Sequence, residues 1–224
     1  MRLQQTILVT AAIVLPLAVA TAHAQGWRQY TCTDDNFRIH APGEFAVDDI
    51  EYPSEYGAVM PARVYSYEDG ANRYALTVVD YTNARAIHAA RPDRSEADYE
   101  LYWEVDVRAS VAYAAANLRR RGGDVTYDAY HYIDRVEGHQ LQITNDDGSR
   151  TFAAIYLHDS RLYISEATVA PGSPPPGMFQ QSLEFLDDAG NRIRYRNYAD
   201  AIKVRDPDIS PDTNPATRSD LLLQ

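Results

Sequence analysis

The side chains with chemical potential are few. Six histidines, one cysteine and one lysine are spread over 224 residues, so metal, thiol and Schiff-base chemistry each have few positions to occupy. His131 and His139 flank one expected hairpin, with Asp128 and Asp134 close in sequence. Antiparallel pairing would bring the two histidines near each other, and His131, His139 and Asp128 are the metal alternative that the sequence offers. The spacing is neither H-x-x-x-H nor H-x-H, however, and no metal or other cofactor is expected. The run 145–148 (NDDG) lacks the alternating ligands and distal glutamate of a calcium loop, and a hairpin turn accounts for it. Cys32 stands beside Asp34 and Asp35, whose charges disfavour a thiolate; it is either a buried thiol or a link to another chain. No G-x-S-x-G elbow or glycine-rich phosphate loop occurs, so no catalytic residue is assigned.

Charge narrows the partners. The formal net charge is −11, which repels nucleic acid and anionic lipid headgroups. Lys203 is the lone lysine, the rest of the positive charge being arginine.

The first 24 residues read as a signal peptide: Arg2, a short apolar run over 7–20 interrupted by Pro16, and Ala22-His23-Ala24 as a cleavage site. That run is shorter than the ~20 residues a spanning helix needs. The expected organisation is a signal peptide over 1–24, one α+β domain over 25–204 and a disordered tail over 205–224. The mature chain, with no membrane span, would be periplasmic or secreted. One cysteine precludes an internal disulfide, so packing must supply the stability.

The elements that would position any site follow from periodicity. Segments 37–40, 63–67 and 73–81 read as strands, the last two joined through Asp69-Gly70. Leu76–Val79 is apolar on both faces, which argues for a central strand covered on both sides. Ser95 reads as the N-cap of a long helix whose stripe is Tyr99, Trp103, Val107, Val111, Ala114 and Leu118, stopped by Gly122-Gly123. Trp103 and Val107 are expected to be buried mid-stripe. Segments 125–136, 139–144, 151–157 and 161–169 form a meander, with turns at Glu137-Gly138, 145–148 and 158–160. Segment 83–94 reads as a polar connection, and 178–188 as a second helix stopped by Gly190. Segment 192–198 reads as a short edge strand.

Seventeen tyrosines are the composition's one excess. Most sit in strands, where a ring packs while its hydroxyl reaches an edge. Tyr52, Tyr56 and Met60 instead fall in 51–62, a stretch with two prolines and a glycine that reads as a loop or an irregular extended crossing. They are candidate partner-binding residues, with the proline run 171–177, including Pro174 and Pro175, as a second wall. The competing reading is that Tyr56 folds back over the sheet edge as a lid on the core.

Phe37–Phe45 (FRIHAPGEF) is similar to the opening strand, Pro-Gly turn and second strand of the PsbP-like family. Gly148 to Gly172, with Arg161-Leu162-Tyr163-Ile164, and 178–185 (MFQQSLEF) resemble its closing strand and helix. The resemblance spans about 30–190 and implies an antiparallel meander with helices covering it, an α/β/α sandwich. It also implies a non-enzymatic binding or accessory role in the cell envelope. A periplasmic hydrolase or metal-dependent enzyme with an Asp/His site is the alternative.

Overall fold

A computed structural model describes residues 26–93, 100–197 and 203–205. The expected signal peptide, the expected Ser95 cap with Tyr99, and the residues after Arg205 lie outside those described. In chain order the elements are β1 (Arg28–Cys32), β2 (Phe37–Ala41), β3 (Ala46–Pro53), β4 (Val59–Asp69) and β5 (Asn72–Asp80). Then come α1 (Ala84–Ala89), α2 (Tyr102–Arg120), β6 (Asp124–Ile133), β7 (Val136–Thr144), β8 (Arg150–His158) and β9 (Arg161–Val169). The chain continues through α3 (Gly177–Gln181), β10 (Glu184–Phe185), β11 (Tyr195–Asn197) and β12 (Lys203–Arg205).

The class is α+β. One seven-stranded antiparallel sheet, ordered β3-β4-β5-β9-β8-β7-β6, forms the middle layer. Strand alternation sends Leu162 and Ile164 to one face and Tyr163 and Ala167 to the other, and both sets are buried. Each face therefore needs a cover. The helical face is covered by α1 and α2, whose Ala84, Ala114, Ala115 and Leu118 meet Val79, Leu141, Ala153 and Ile155. The other is covered by α3 and a three-stranded sheet, β1-β2-β10, which bring Phe37, Ile39, Phe179 and Phe185 onto Tyr65, Tyr74, Tyr156 and Tyr163. Helices thus lie on both faces, as the sandwich requires.

Several boundaries differ from the sequence reading. The second helix is a single turn, because Glu184 and Phe185 pair with Arg38 and Phe37 and extend the small sheet instead. Met178, assigned to its apolar stripe, is exposed. Gly138 is not a turn residue. The turn is Asp134-Arg135, both at positive φ, and Gly138 lies inside β7 because a side chain there would collide with the Tyr156 ring. Of the two readings of 51–62 the extended one is nearer: Glu51 to Pro53 pair with Pro61 to Val59, leaving a short turn from Ser54 to Ala58. The segment 83–94 contains α1. The 192–198 strand is narrower, Tyr195–Asn197, and pairs with Lys203–Arg205 apart from the large sheet.

The long helix is present but turned. Its buried line is Asp106, Ser110, Ala114 and Leu118, while Trp103, Val107 and Val111 are half buried at its flank. The expectation that Trp103 is a core residue is corrected accordingly. Leu118→Ala should cost about 2–5 kcal/mol in urea unfolding, and Trp103→Ala should cost clearly less. The reverse ranking would mean that α2 packs through the expected stripe.

Candidate functional site

Beneath α2 lies a buried His–Asp hydrogen-bonded pair. Two elements converge under it. After β5, Asp80 caps the Thr82 amide and the chain enters α1, an alanine-rich helix of one and a half turns that carries His88 inward. From α2, Asp106 meets it, with His88 Nε2 2.8 Å from Asp106 Oδ2. Asp106 is 0% exposed and His88 8%. Asp106 Oδ1 and the hydroxyls of Tyr52 and Tyr81 are also buried, without a hydrogen-bond partner among the described residues.

Burial, with the negative charge of Asp106 next and then Tyr52 and Tyr113, pushes the Tyr81 phenol far up. Tyr52 is pushed up to about 12, by burial first and by Tyr113 second. The Asn117 amide stands beside the Tyr52 hydroxyl, outside good hydrogen-bond geometry. The α1–α2 arch is closed at its rim as well. Arg91 donates to the Tyr56 carbonyl, and the Tyr56 and Tyr102 rings lie 5.8 Å apart. A buried carboxyl oriented against an imidazole is acid–base machinery. The Ser110 hydroxyl, one turn along α2, donates to the Val107 carbonyl.

The residues read from sequence fall elsewhere. His131 and His139 project from opposite faces of the sheet. His131 opposes Gly138 and bonds the Tyr156 hydroxyl at 2.9 Å, on the aromatic face. His139 lies on the helical face with Asp128, whose two oxygens are gripped by Arg119 at 2.6 and 2.8 Å. The proposed metal set His131, His139 and Asp128 therefore does not converge. No group of three or more His, Cys, Asp or Glu among the described residues is placed to hold a metal ion.

Met60 is fully buried and belongs to the helical-face core. Tyr52 packs edge-on to Tyr113 at 6.5 Å. Tyr52 is half buried against that core, and half-buried Tyr56 has its carbonyl held by Arg91 and its ring 5.8 Å from that of Tyr102. Pro174 and Pro175 are exposed, but they follow the C-terminal end of β9, whereas Tyr52 lies at the end of the sheet where β9 begins. The two segments cannot wall one site.

Cys32 is half buried, 3.2 Å from the Tyr65 hydroxyl, which in turn donates to Asp35. Near it, a cleft of about 440 Å³ is lined by Asp35, Asp49 and Asp80 around Arg63, which pairs with Asp35 at 3.1 Å.

No protein-family model and no curated protein matches the chain. Among solved structures it is similar to cyanobacterial PsbP from Synechocystis sp. PCC 6803. The two are 12% identical with a TM-score of 0.37, over 67% of this chain and 84% of that one. This is the family that the 37–45 and 161–164 segments resemble, and no functional residue is carried across from it. No helix among the described residues is long and apolar enough to cross a membrane.

Sequence reasoning missed His88 and Asp106. The one available signal was an acid on the buried side of an amphipathic helix, which a periodicity count treats as an interruption.

Two outcomes follow from these pairs. Asp106→Ala should destabilise by about 3–5 kcal/mol, because it leaves His88 buried alone. A double-mutant cycle with His88→Ala should show strong coupling between the positions; near-additive losses would mean the two do not act as a pair. Arg119 holds the Asp128 carboxyl down to about 2, with His139 adding to the effect. Its unfolded value is near 3.9, so the pair's contribution is complete above about pH 4 and lost as pH falls through 2. Asp128 is about a third exposed, so that contribution is below about 1 kcal/mol. Unfolding of wild type and Asp128→Asn should differ most near neutral pH and converge toward pH 2.

Proposed function

We propose that the chain is an exported binding or accessory protein of the cell envelope, periplasmic or secreted, acting without catalysis through an open sheet edge. The observation that supports this is a difference between the two edges of the large sheet. The outer strand β3 carries Asp48, Asp49, Glu51 and Pro53, residues that discourage another strand from pairing there. The opposite outer strand, β6, has no proline, and of its two acids Asp128 is already bound to Arg119. Along it Tyr127, Tyr130 and Tyr132 are 42%, 61% and 52% exposed. An unblocked strand edge with exposed rings fits an extended protein segment, whose backbone pairs with the edge while its side chains lie on the tyrosines. The working surface is thus moved from the 51–62 hairpin to β6. The charge of −11 weighs against nucleic acid and anionic lipid as partners.

The competing reading is an Asp/His hydrolase or metal-dependent enzyme. It has lost its original residues, since His131 points away from His139 and Asp128. Asp128 keeps His139, but both its oxygens are also held by Arg119; the His88–Asp106 pair is buried.

The test is affinity recovery of tagged protein from an envelope extract, with partners identified by mass spectrometry. The recovered chain should begin at Gln25, as export with cleavage after Ala24 requires. Tyr130→Ala with Tyr132→Ala should leave the melting temperature nearly unchanged, as for surface sites, and abolish recovery of the wild-type partner. Undiminished recovery by that variant would remove β6 as the binding surface.

A further inference from the structure

The regular part of the β6 edge has fixed ends and a fixed centre. At one end it stops at Ile133, which pairs with Val136 across the Asp134-Arg135 turn, both turn residues having positive φ. At the other it stops at Tyr127, because the register with β7 shifts between Val125 and Tyr127. Between those limits the residues from Tyr127 to Ile133 run without a break, and Tyr130 is the middle one. A two-residue turn of this kind closes on a pair that exchanges both backbone hydrogen bonds, and such pairs alternate along an antiparallel ladder. The backbone groups of Ile133, His131, Ala129 and Tyr127 are therefore used on β7, and those of Tyr132, Tyr130 and Asp128 point outward.

A strand centred on an outward-facing residue can pair antiparallel with a second copy of itself about a twofold axis. Such pairing about Tyr130 sets Tyr132 against the partner's Asp128, His131 against the partner's Ala129 and Ile133 against the partner's Tyr127. Directly opposed residues share a face of the sheet and touch. On the helical face, the exposed Arg135 guanidinium lies 5.6 Å from the Tyr132 ring, and the partner's Asp128 arrives beside that ring. No two like charges are opposed along the pairing. On the aromatic face, the half-buried His131 imidazole meets a small alanine and half-buried Ile133 meets a ring. The exposed tyrosines Tyr127, Tyr130 and Tyr132 are all covered in one step. We propose that β6 pairs with β6 of a second copy of this chain, antiparallel and centred on Tyr130, so that the two seven-stranded sheets become continuous. This rests on the reading of β6 as a strand-accepting edge, and it names the partner. The edge's own pattern selects that occupant: an acid toward one end and a base at the other complement a copy running in the opposite direction.

Sedimentation velocity on the mature protein reads this out, in near-physiological salt that screens the acidic net charge of each copy. The wild type should show a dimer whose share rises with protein concentration. On the twofold axis Tyr130 faces itself. Tyr130→Lys alone and Tyr130→Glu alone each put like charges together there, so each should sediment as a monomer with a nearly unchanged melting temperature. An equal mixture of the two variants should regain the dimer, because opposite charges then meet. A wild type that stays monomeric, a single variant that dimerises as the wild type does, or a mixture that stays monomeric would each overturn the assignment. A monomeric wild type whose extract partner is still lost with Tyr130→Ala and Tyr132→Ala would overturn the second copy alone and leave β6 as the binding edge for a different chain.

Discussion

The constraint on which the structure depends is that its central strands are apolar on both faces. In β5, β8 and β9, successive buried side chains alternate sides, so neither face of the large sheet can be left to water. The two covers differ because the two faces differ. On one, alanines from sheet and helix (Ala62, Ala153, Ala114, Ala115) leave room for α2 to lie close. On the other, rings dominate, and Phe37, Phe179 and Phe185 approach them edge-on from a thin second sheet and a single helical turn.

The helical face carries the buried His88–Asp106 pair within its core. Burying Asp106 has a desolvation cost that only a well-placed partner offsets. His88 is such a partner only because α1 breaks the connection between β5 and α2. The pair fixes the rotation of α2 about its own axis, bringing the line Asp106, Ser110, Ala114 and Leu118 inward. Trp103 is displaced to the flank as a direct consequence.

What could be read from the sequence and what could not follow the same division. The meander was legible because alternation and turn residues act locally: Asp159-Ser160 and Gly70 adopt the positive φ that tight hairpins need. The double cover was legible in Leu76–Val79. The end of the second helix was not, since the pairing of Glu184 and Phe185 with β2 is made across about 147 residues of chain. The Tyr52, Tyr56 and Met60 set misled because prolines and a glycine mimic a loop, whereas Pro53 and Pro61 sit on an outer hairpin that tolerates them. His88 and Asp106 were invisible for a related reason: their partnership is tertiary, and each alone looks like an ordinary polar residue.

Tyrosine serves two purposes in this chain, and the contrast bears on function. Tyr65, Tyr156 and Tyr163 are fully buried, and each hydroxyl has a specific partner: Asp35, His131 and the Asp35 carbonyl. These rings fill the core while their polar ends fix where β1, β2 and β6 sit on the sheet. Tyr127, Tyr130 and Tyr132 contribute little to that core, and their rings face solvent along the outer strand. The Tyr130 and Tyr132 rings stand 6.5 Å apart, and the Arg135 guanidinium lies 5.6 Å from the Tyr132 ring, so the surface is partly organised in the free chain. Partly ordered rings lose less entropy on binding than freely rotating ones. Exposed aromatic area beside an unblocked backbone edge is a liability for a chain that works alone. It becomes useful where a partner strand is available, which is why β6 and not the buried His88–Asp106 pair is the place on which a function is proposed.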